Sequence, residues 1–281
     1  MTTSRSAIPP QPPAHWQDGY VLANGIRIHY WRTGGDKPVL ILAHGFSDDG
    51  LCWALFAQEL EADYDIIMVD ARGHGLTDPP TSADTTDAQC EDLAGLIREL
   101  DLGKPIIMGH SMGSSSTAWF AARYPDVPRA VILEDPRLTP WPGGGPGHGA
   151  DEAAIQERQA GILTQNNRSY AELAAEAREK NPLWESAECE WWAPSKRRFH
   201  PHLVHRRPGD RPSTADLLPK IAAPTLILKA DADGDLWEQN EAAARRLPNG
   251  RIVHVAGAGH CVRRDRKAEA LRLVKAFLAE V

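Results

Sequence analysis

Two hydrophobic periods alternate along this chain. Gly19 to Ala23 and Ile26 to Arg32 are rich in β-formers, and the Asn24-Gly25 between them is the strongest short hairpin signal. Pro38 to Ala43 is a continuous apolar run, as expected of a strand buried on both faces. Leu51 to Glu61 switches to helical spacing, with Leu51, Leu55, Phe56 and Leu60 on one face. Asp65 to Asp70 reads as another buried strand. Asp87 to Leu100 reads as a helix in which Leu93, Leu96, Ile97 and Leu100 recur at helical spacing. After Lys104-Pro105 a short apolar run ends in Gly109-His110-Ser111-Met112-Gly113. The helix-favouring Ser114 to Arg123 and the strand Ala130 to Leu133 follow. Strands alternating with helices predict an α/β fold with a mostly parallel, doubly wound sheet.

At Pro136 the alternation stops. Pro140 to Gly149 is mostly glycine and proline, which marks a loop and a boundary. From Asp151 to about Trp192 the chain is helical in composition, broken at Asn166-Asn167 and Asn181-Pro182, and irregular basic sequence then runs to Pro212. The α/β pattern resumes with a strand at Pro224 to Lys229, a helix at Trp237 to Leu247, a strand at Ile252 to Val255 and a final helix from about Arg264 to Glu280. The expected organisation is a flexible leader over 1–15, an α/β core over 16–136 and 213–281, and a helical cap inserted over 137–212. An insert of this size within a domain is ordinary.

Composition narrows the function classes. A chain of 281 residues that is 42% hydrophobic and 25% charged has ample material for a core. Its net charge of −7 supplies no basic field, so nucleic acid is not the expected partner. No apolar run approaches the roughly 18 residues of a membrane span. The start is Pro-, Ser- and Thr-rich without the apolar core of a signal peptide. Cys52, Cys90, Cys189 and Cys261 form no C-x-x-C pair, so the expectation is reduced thiols in a cytoplasmic protein. The prolines of the leader could dock onto a neighbouring copy of the chain, in a homodimer.

Gly109 to Gly113 fits G-x-S-x-G, with a strand before it and a helix after it. In that context a sharp turn holds a serine hydroxyl at the top of a sheet. The competing account of Ser111 is an ordinary helix N-cap. The chain resembles the α/β-hydrolases through four motifs in their order: His44-Gly45-Phe46, Asp70-Ala71-Arg72-Gly73-His74-Gly75, the Gly109–Gly113 elbow and Gly257-Ala258-Gly259-His260. The resemblance covers nearly everything outside the leader and the insert.

Chemistry and resemblance assign roles together. A serine hydroxyl needs an adjacent base near neutral pH, and histidine suits that task. The family keeps its base after the last strand, where this chain has His260. His44, His74 and His110 are placed elsewhere by the same motifs. The third member should be a carboxylate that fixes the His260 tautomer and stabilises the imidazolium. Two places are open. Asp233 lies in the acid-rich loop after the penultimate strand, where the family usually keeps its acid. Glu134 ends the strand after the elbow helix, and a carboxylate buried there without a partner would be costly to ionise. The resemblance implies an oxyanion hole from the backbone N–H groups of Phe46 and Met112. Asp48 and Asp49 are expected to cap the helix beginning near Leu51.

The insert resembles the family's helical lid. Its Trp141, Trp184, Trp191 and Trp192 could wall a pocket for an apolar or aryl substrate, or form the lid's own core. His200, His202 and His205, among Lys196, Arg197, Arg198, Arg206 and Arg207, read as a solvated basic edge rather than a metal site. The function implied is a serine hydrolase of carboxylic esters or lactones acting on a small molecule, with no cofactor and no metal. Ser111 argues against epoxide hydrolase and haloalkane dehalogenase chemistry, which uses a carboxylate nucleophile on this fold. Amides, lactams and the C–C bonds of ring-fission diketones remain open to the same triad. So does a small-ligand receptor that retains it.

Overall fold

Asn24 and Gly25, at φ 48° and 77°, supply the two left-handed residues of a tight hairpin between β1 (Gln17–Ala23) and β2 (Ile26–Arg32). The structure is a computed structural model describing residues 8–81, 83–139, 151–205 and 212–281. The remaining strands are β3 (Val39–Ala43), β4 (Asp65–Val69), β5 (Ile106–His110), β6 (Ala130–Glu134), β7 (Thr225–Lys229) and β8 (Gly250–His254). The sheet runs β1-β2-β4-β3-β5-β6-β7-β8. The β1–β2 and β2–β4 pairs are antiparallel and the other five are parallel.

The apolar runs are buried on both faces because each strand divides its side chains between two layers. Leu40, Leu42, Ile66 and Met68 pack with Trp53, Phe56, Val274 and Phe277. Their neighbours Ile41, Ile67 and Val69 pack on the other face with Leu93, Leu96 and Phe120. The layers come from α1 (Ala54–Gln58) and α10 (Lys267–Leu278) on one side, and from α2 (Ala88–Glu99) and α3 (Met112–Arg123) on the other. The expected helix at Leu51 to Glu61 is instead a 3₁₀ turn, Gly50–Trp53, running into α1. Asp49 precedes that turn but its side chain caps nothing; Asp70 Oδ1 accepts from Gly50 N at 2.7 Å instead.

Between β6 and β7 the chain leaves the core to form α4 (Glu152–Asn166), α5 (Tyr170–Lys180) and α6 (Ser186–Lys196). The two breaks expected from Asn166-Asn167 and Asn181-Pro182 are where α4 and α5 end. Asp151 caps α4 through Ala154 N, and Ser169 with Glu172 forms a full capping box on α5. Leu173, Ala174 and Ala193 make the small core of this cap, and Trp191 anchors it in the main core. The chain returns through α7 (Thr214–Leu217), and α8 (Gly234–Ala244) and α9 (Val262–Asp265) complete the described helices. Among the described residues, no helix is long and apolar enough to cross a membrane.

Candidate active site

The elbow is built by two close approaches. A Cβ on Gly109 would lie 2.3 Å from the carbonyl oxygen of Gly113, and one on Gly113 would lie 2.2 Å from that of Ala43. Neither position admits a side chain, which is why β5 can pass directly into α3. Ser111 sits at the crossing with φ 53° and ψ −109°, a region costly for any residue with a Cβ. Its amide donates to Glu134 O at 2.9 Å, fixing the turn to the end of β6.

Three side chains connect in series above this turn. His260 Nε2 lies 2.8 Å from Ser111 Oγ, and His260 Nδ1 lies 2.5 Å from Asp135 Oδ2. Lys229 pairs with the other oxygen of Asp135, which also accepts from Ala230 N at 3.2 Å. The hydrogen bond to Asp135 raises the His260 pKa above the ordinary 6.5, against the opposing pull of burial. Burial works against ionising Asp135, but His260 and Lys229 outweigh it and keep the carboxyl below its usual range.

The carboxylate on His260 is therefore neither of the two expected. Asp233 occupies the residue before α8 and makes no cap hydrogen bond, while its neighbour Asp231 accepts from Gly257 N at 2.7 Å. Glu134 is fully buried on the opposite side of the strand end. There it accepts from Arg263 N at 2.8 Å and from Arg263 Nη1 at 2.9 Å, and the guanidinium lies 3.7 Å from the centre of the Trp53 ring. Glu134 has the partner that its burial requires, and that partner is Arg263. Asp135 leaves the strand at φ 43°, and that left-handed step turns its carboxylate toward His260.

The other histidines of the motifs are neutral fixtures. His44 Nδ1 donates to Gly45 O at 2.8 Å, and its Nε2 accepts from Ala71 N at 2.9 Å. His74 Nδ1 donates to Arg72 O at 3.0 Å and its Nε2 accepts from Ser47 N at 3.3 Å; burial lowers its pKa to about 3. His110 Nε2 donates to the backbone oxygen of His260 at 2.9 Å, and burial lowers its pKa to about 4. So the x of the elbow holds the loop that carries the base.

The loop after β3 comes up against Ser111: a Cβ on Gly45 would sit 2.6 Å from His110 Nδ1 and 3.5 Å from Ser111 Cβ. Phe46, the next residue, is 53% exposed, with its ring 4.8 Å from that of Phe199. Both rings line a groove of about 330 Å³ between this loop and the cap, together with Arg158, Ile162, Gln165 and Val204. Met112 opens α3 directly after Ser111. The expected tryptophan wall is corrected here. Trp191 is buried in the main core, Trp184 donates to Asp265 Oδ1 at 2.8 Å under the Arg264 guanidinium, and Trp192 packs on the cap's own core. Trp141 lies outside the described residues. Phe46 and Phe199 supply the aromatic surface instead.

Asp48 and Lys196 also depart from expectation. Asp48 is buried between Lys196 Nζ at 2.9 Å and Arg264 Nη2 at 3.0 Å. Burial alone would raise its pKa, but Arg264 and Lys196 hold it well below the carboxylate range. Lys196 is thus an interior residue and not part of a solvated edge. Arg206 and Arg207, placed on that edge, lie outside the described residues.

A serine hydroxyl on a strained strand-to-helix turn, a histidine against it and a carboxylate behind the histidine stand in series at the C-terminal edge of the sheet. The sheet order and the inserted cap are those of one fold family. Residues 40–272 match the model of the alpha/beta hydrolase family, and the chain belongs to it. It is 28% identical over 259 residues to N-formylmaleamate deformylase of Pseudomonas putida, covering 87% of this chain and 90% of that one. It is 26% identical over 295 residues to epoxide hydrolase 1 of Caenorhabditis elegans, covering 94% and 70%. Among solved structures, E-2-(acetamidomethylene)succinate hydrolase superposes with a TM-score of 0.73 at 21% identity, covering 94% of this chain and all of that one.

Proposed function

We propose that this chain is a serine hydrolase that cleaves a carboxylic ester or lactone of a small, apolar or aromatic substrate through an acyl-enzyme on Ser111. The observation that carries it is the unbroken series from Ser111 Oγ through His260 to Asp135. Ser111 Oγ attacks the carbonyl carbon as His260 Nε2 takes the hydroxyl proton. The carbonyl oxygen becomes an oxyanion facing the amides of Phe46 and Met112, which act as the oxyanion hole. Asp135 stabilises the imidazolium, which returns its proton to the leaving oxygen as the C–O bond breaks. Water, deprotonated by His260, then attacks the acyl carbon and releases Ser111. The Phe46–Phe199 surface of the groove favours an apolar or aryl group, and Arg158 at its rim tolerates an anionic one.

A second version of the same chemistry, amide hydrolysis, is favoured by the deformylase relative, whose coverage extends over both chains. Epoxide opening is not favoured, because the residue on the elbow is a serine and not a carboxylate.

The test is a panel of aryl esters, lactones and N-acyl amides, with fluorophosphonate labelling alongside. Multiple turnovers on one class, with label on Ser111 and none on Ser111→Ala, are expected. A single slow turnover would favour a receptor, and an unlabelled, inert protein would overturn the proposal.

A further inference from the structure

Lys196 ends the last cap helix, and its ammonium is directed into the loop that follows β3. It donates to Ser47 O at 2.6 Å, to Ser47 Oγ at 2.8 Å and to Asp48 Oδ1 at 2.9 Å, with the side chain 3% exposed. Its Nζ also sits 4.4 Å from the centre of the Trp192 ring. A desolvated lysine with three oxygen acceptors on two consecutive residues is a fixed strut rather than a surface charge.

What the strut holds is a strained turn. Asp48 N donates to Gly45 O at 3.1 Å, closing a turn over Phe46 and Ser47. Ser47 stands in that turn at φ 63°, in the left-handed region that is strained for a residue with a Cβ. It is held there from two sides: its amide donates to His74 Nε2, and its carbonyl and hydroxyl receive Lys196. The same turn begins with Gly45, pressed against the His110 ring beside Ser111, and carries the Phe46 amide.

We propose that Lys196 is a positioning residue: from the cap, it holds the Gly45–Asp48 turn so that the Phe46 amide meets the substrate oxyanion. The proposal rests on the hydrolase function above. It makes the seating of the cap and the assembly of the oxyanion hole one event. With α6 seated, Lys196 locks the turn; without the Lys196 ammonium, Ser47 is free to relax and the amide drifts. Misplacement by about 1 Å is enough to cost about 100-fold in such chemistry. Arg264 reinforces the joint by pairing with both Asp48 of the turn and Glu188 of α6.

The experiment uses the full chain and three small probes that need little of the cap. Turnover is read with 4-nitrophenyl acetate. Oxyanion binding is read with an aryl trifluoromethyl ketone, whose carbonyl carbon bonds to Ser111 Oγ while the proton passes to His260 and the oxygen becomes anionic. The corresponding trifluoromethyl alcohol, which cannot form that adduct, reports the ground-state pocket. Lys196→Met should lower kcat and ketone affinity in parallel by about 10- to 100-fold, with KM and alcohol affinity nearly unchanged. Ser47→Ala, which removes one of the three acceptors and leaves the fold untouched, should lower both in the same direction by a few-fold. If Lys196→Met does not fold, Ser47→Ala decides alone. Unchanged ketone affinity in the variant that folds would overturn the clamp, as would a loss that falls equally on the alcohol and on KM. Wild-type protein inert to the ester and to the ketone would instead overturn the hydrolase function itself.

Discussion

Two neighbouring carboxylates at the end of β6 show how one peptide step separates a structural charge from a reactive one. Glu134 is fully buried and pairs with Arg263 at 2.9 Å, beside another buried group in which Arg264 and Lys196 face Asp48 and Glu188. Asp135 is joined to Lys229 on one side and on the other to His260, whose side chain is 59% exposed. The first set is dry and balanced, so no proton or ligand has a reason to enter. The second is balanced only at the acid. Its far end is an imidazole open to water and to substrate, which is what a base that must gain and lose a proton requires. What separates the two carboxylates is the partner each one faces, a buried guanidinium for Glu134 and an exposed imidazole for Asp135.

The largest effect should come from breaking the second set. Asp135→Asn should lower kcat by roughly 10³- to 10⁴-fold, because the imidazolium loses its counter-charge and its tautomer is no longer fixed. Asp233→Asn, measured beside it on whichever ester proves to be a substrate, should stay within about two-fold of wild type, since surface changes away from such features matter little. Reversed magnitudes would restore Asp233 as the acid and remove the contrast between the two carboxylates.

Breaking the first set should cost stability rather than chemistry. Glu134→Gln leaves the Arg263 guanidinium buried without its counter-charge, and removing one member of a buried pair typically costs about 3–5 kcal/mol. Denaturant unfolding should show that loss while kcat of the folded protein, per active site titrated with fluorophosphonate, falls by less than about ten-fold. A kcat loss matching that of Asp135→Asn, with normal stability, would mean that Glu134 takes part in the reaction.

How much of this was legible in the chain follows from how local each feature is. The elbow could be read because its requirements are confined to five residues: two glycines forced by backbone contact and a serine between them. The histidine that meets Ser111 could be read because His260 follows the last strand in a glycine-rich loop. The acid could not. Strand alternation assigns Glu134 and Asp135 to opposite faces, but it does not say which face the histidine approaches, nor that Asp135 exits at a positive φ. Among the described residues, three of the five non-glycine residues with positive φ, Ser47, Ser111 and Asp135, meet at this site, and the sequence pattern marks only Ser111. Lys196 was hidden by its basic neighbours, although Cys189, Ala193 and Lys196 recur at helical spacing and all face inward. That spacing was the available signal. The tryptophans carried no such signal, because aromatic content does not distinguish a pocket wall from the seat of a cap.

The smallest effect tests the asymmetry itself, through the residue joining Asp135 from behind. Lys229 places a positive charge on the carboxylate oxygen that His260 does not use, and that charge opposes protonation of the imidazole. Hydrolysis needs His260 neutral, so kcat/KM should fall as the pH drops through the His260 pKa, which the Asp135 hydrogen bond places above 6.5. Lys229→Met removes the opposing charge, so the imidazolium is favoured further and the acid limb should move to higher pH. The plateau rate above that limb should change little, because the series from Ser111 to Asp135 is intact. An acid limb that moved to lower pH, or did not move, would show that His260 does not sense Lys229. Asp135 would then be shielded from its own neighbour, and the open set of charges would behave like the closed one.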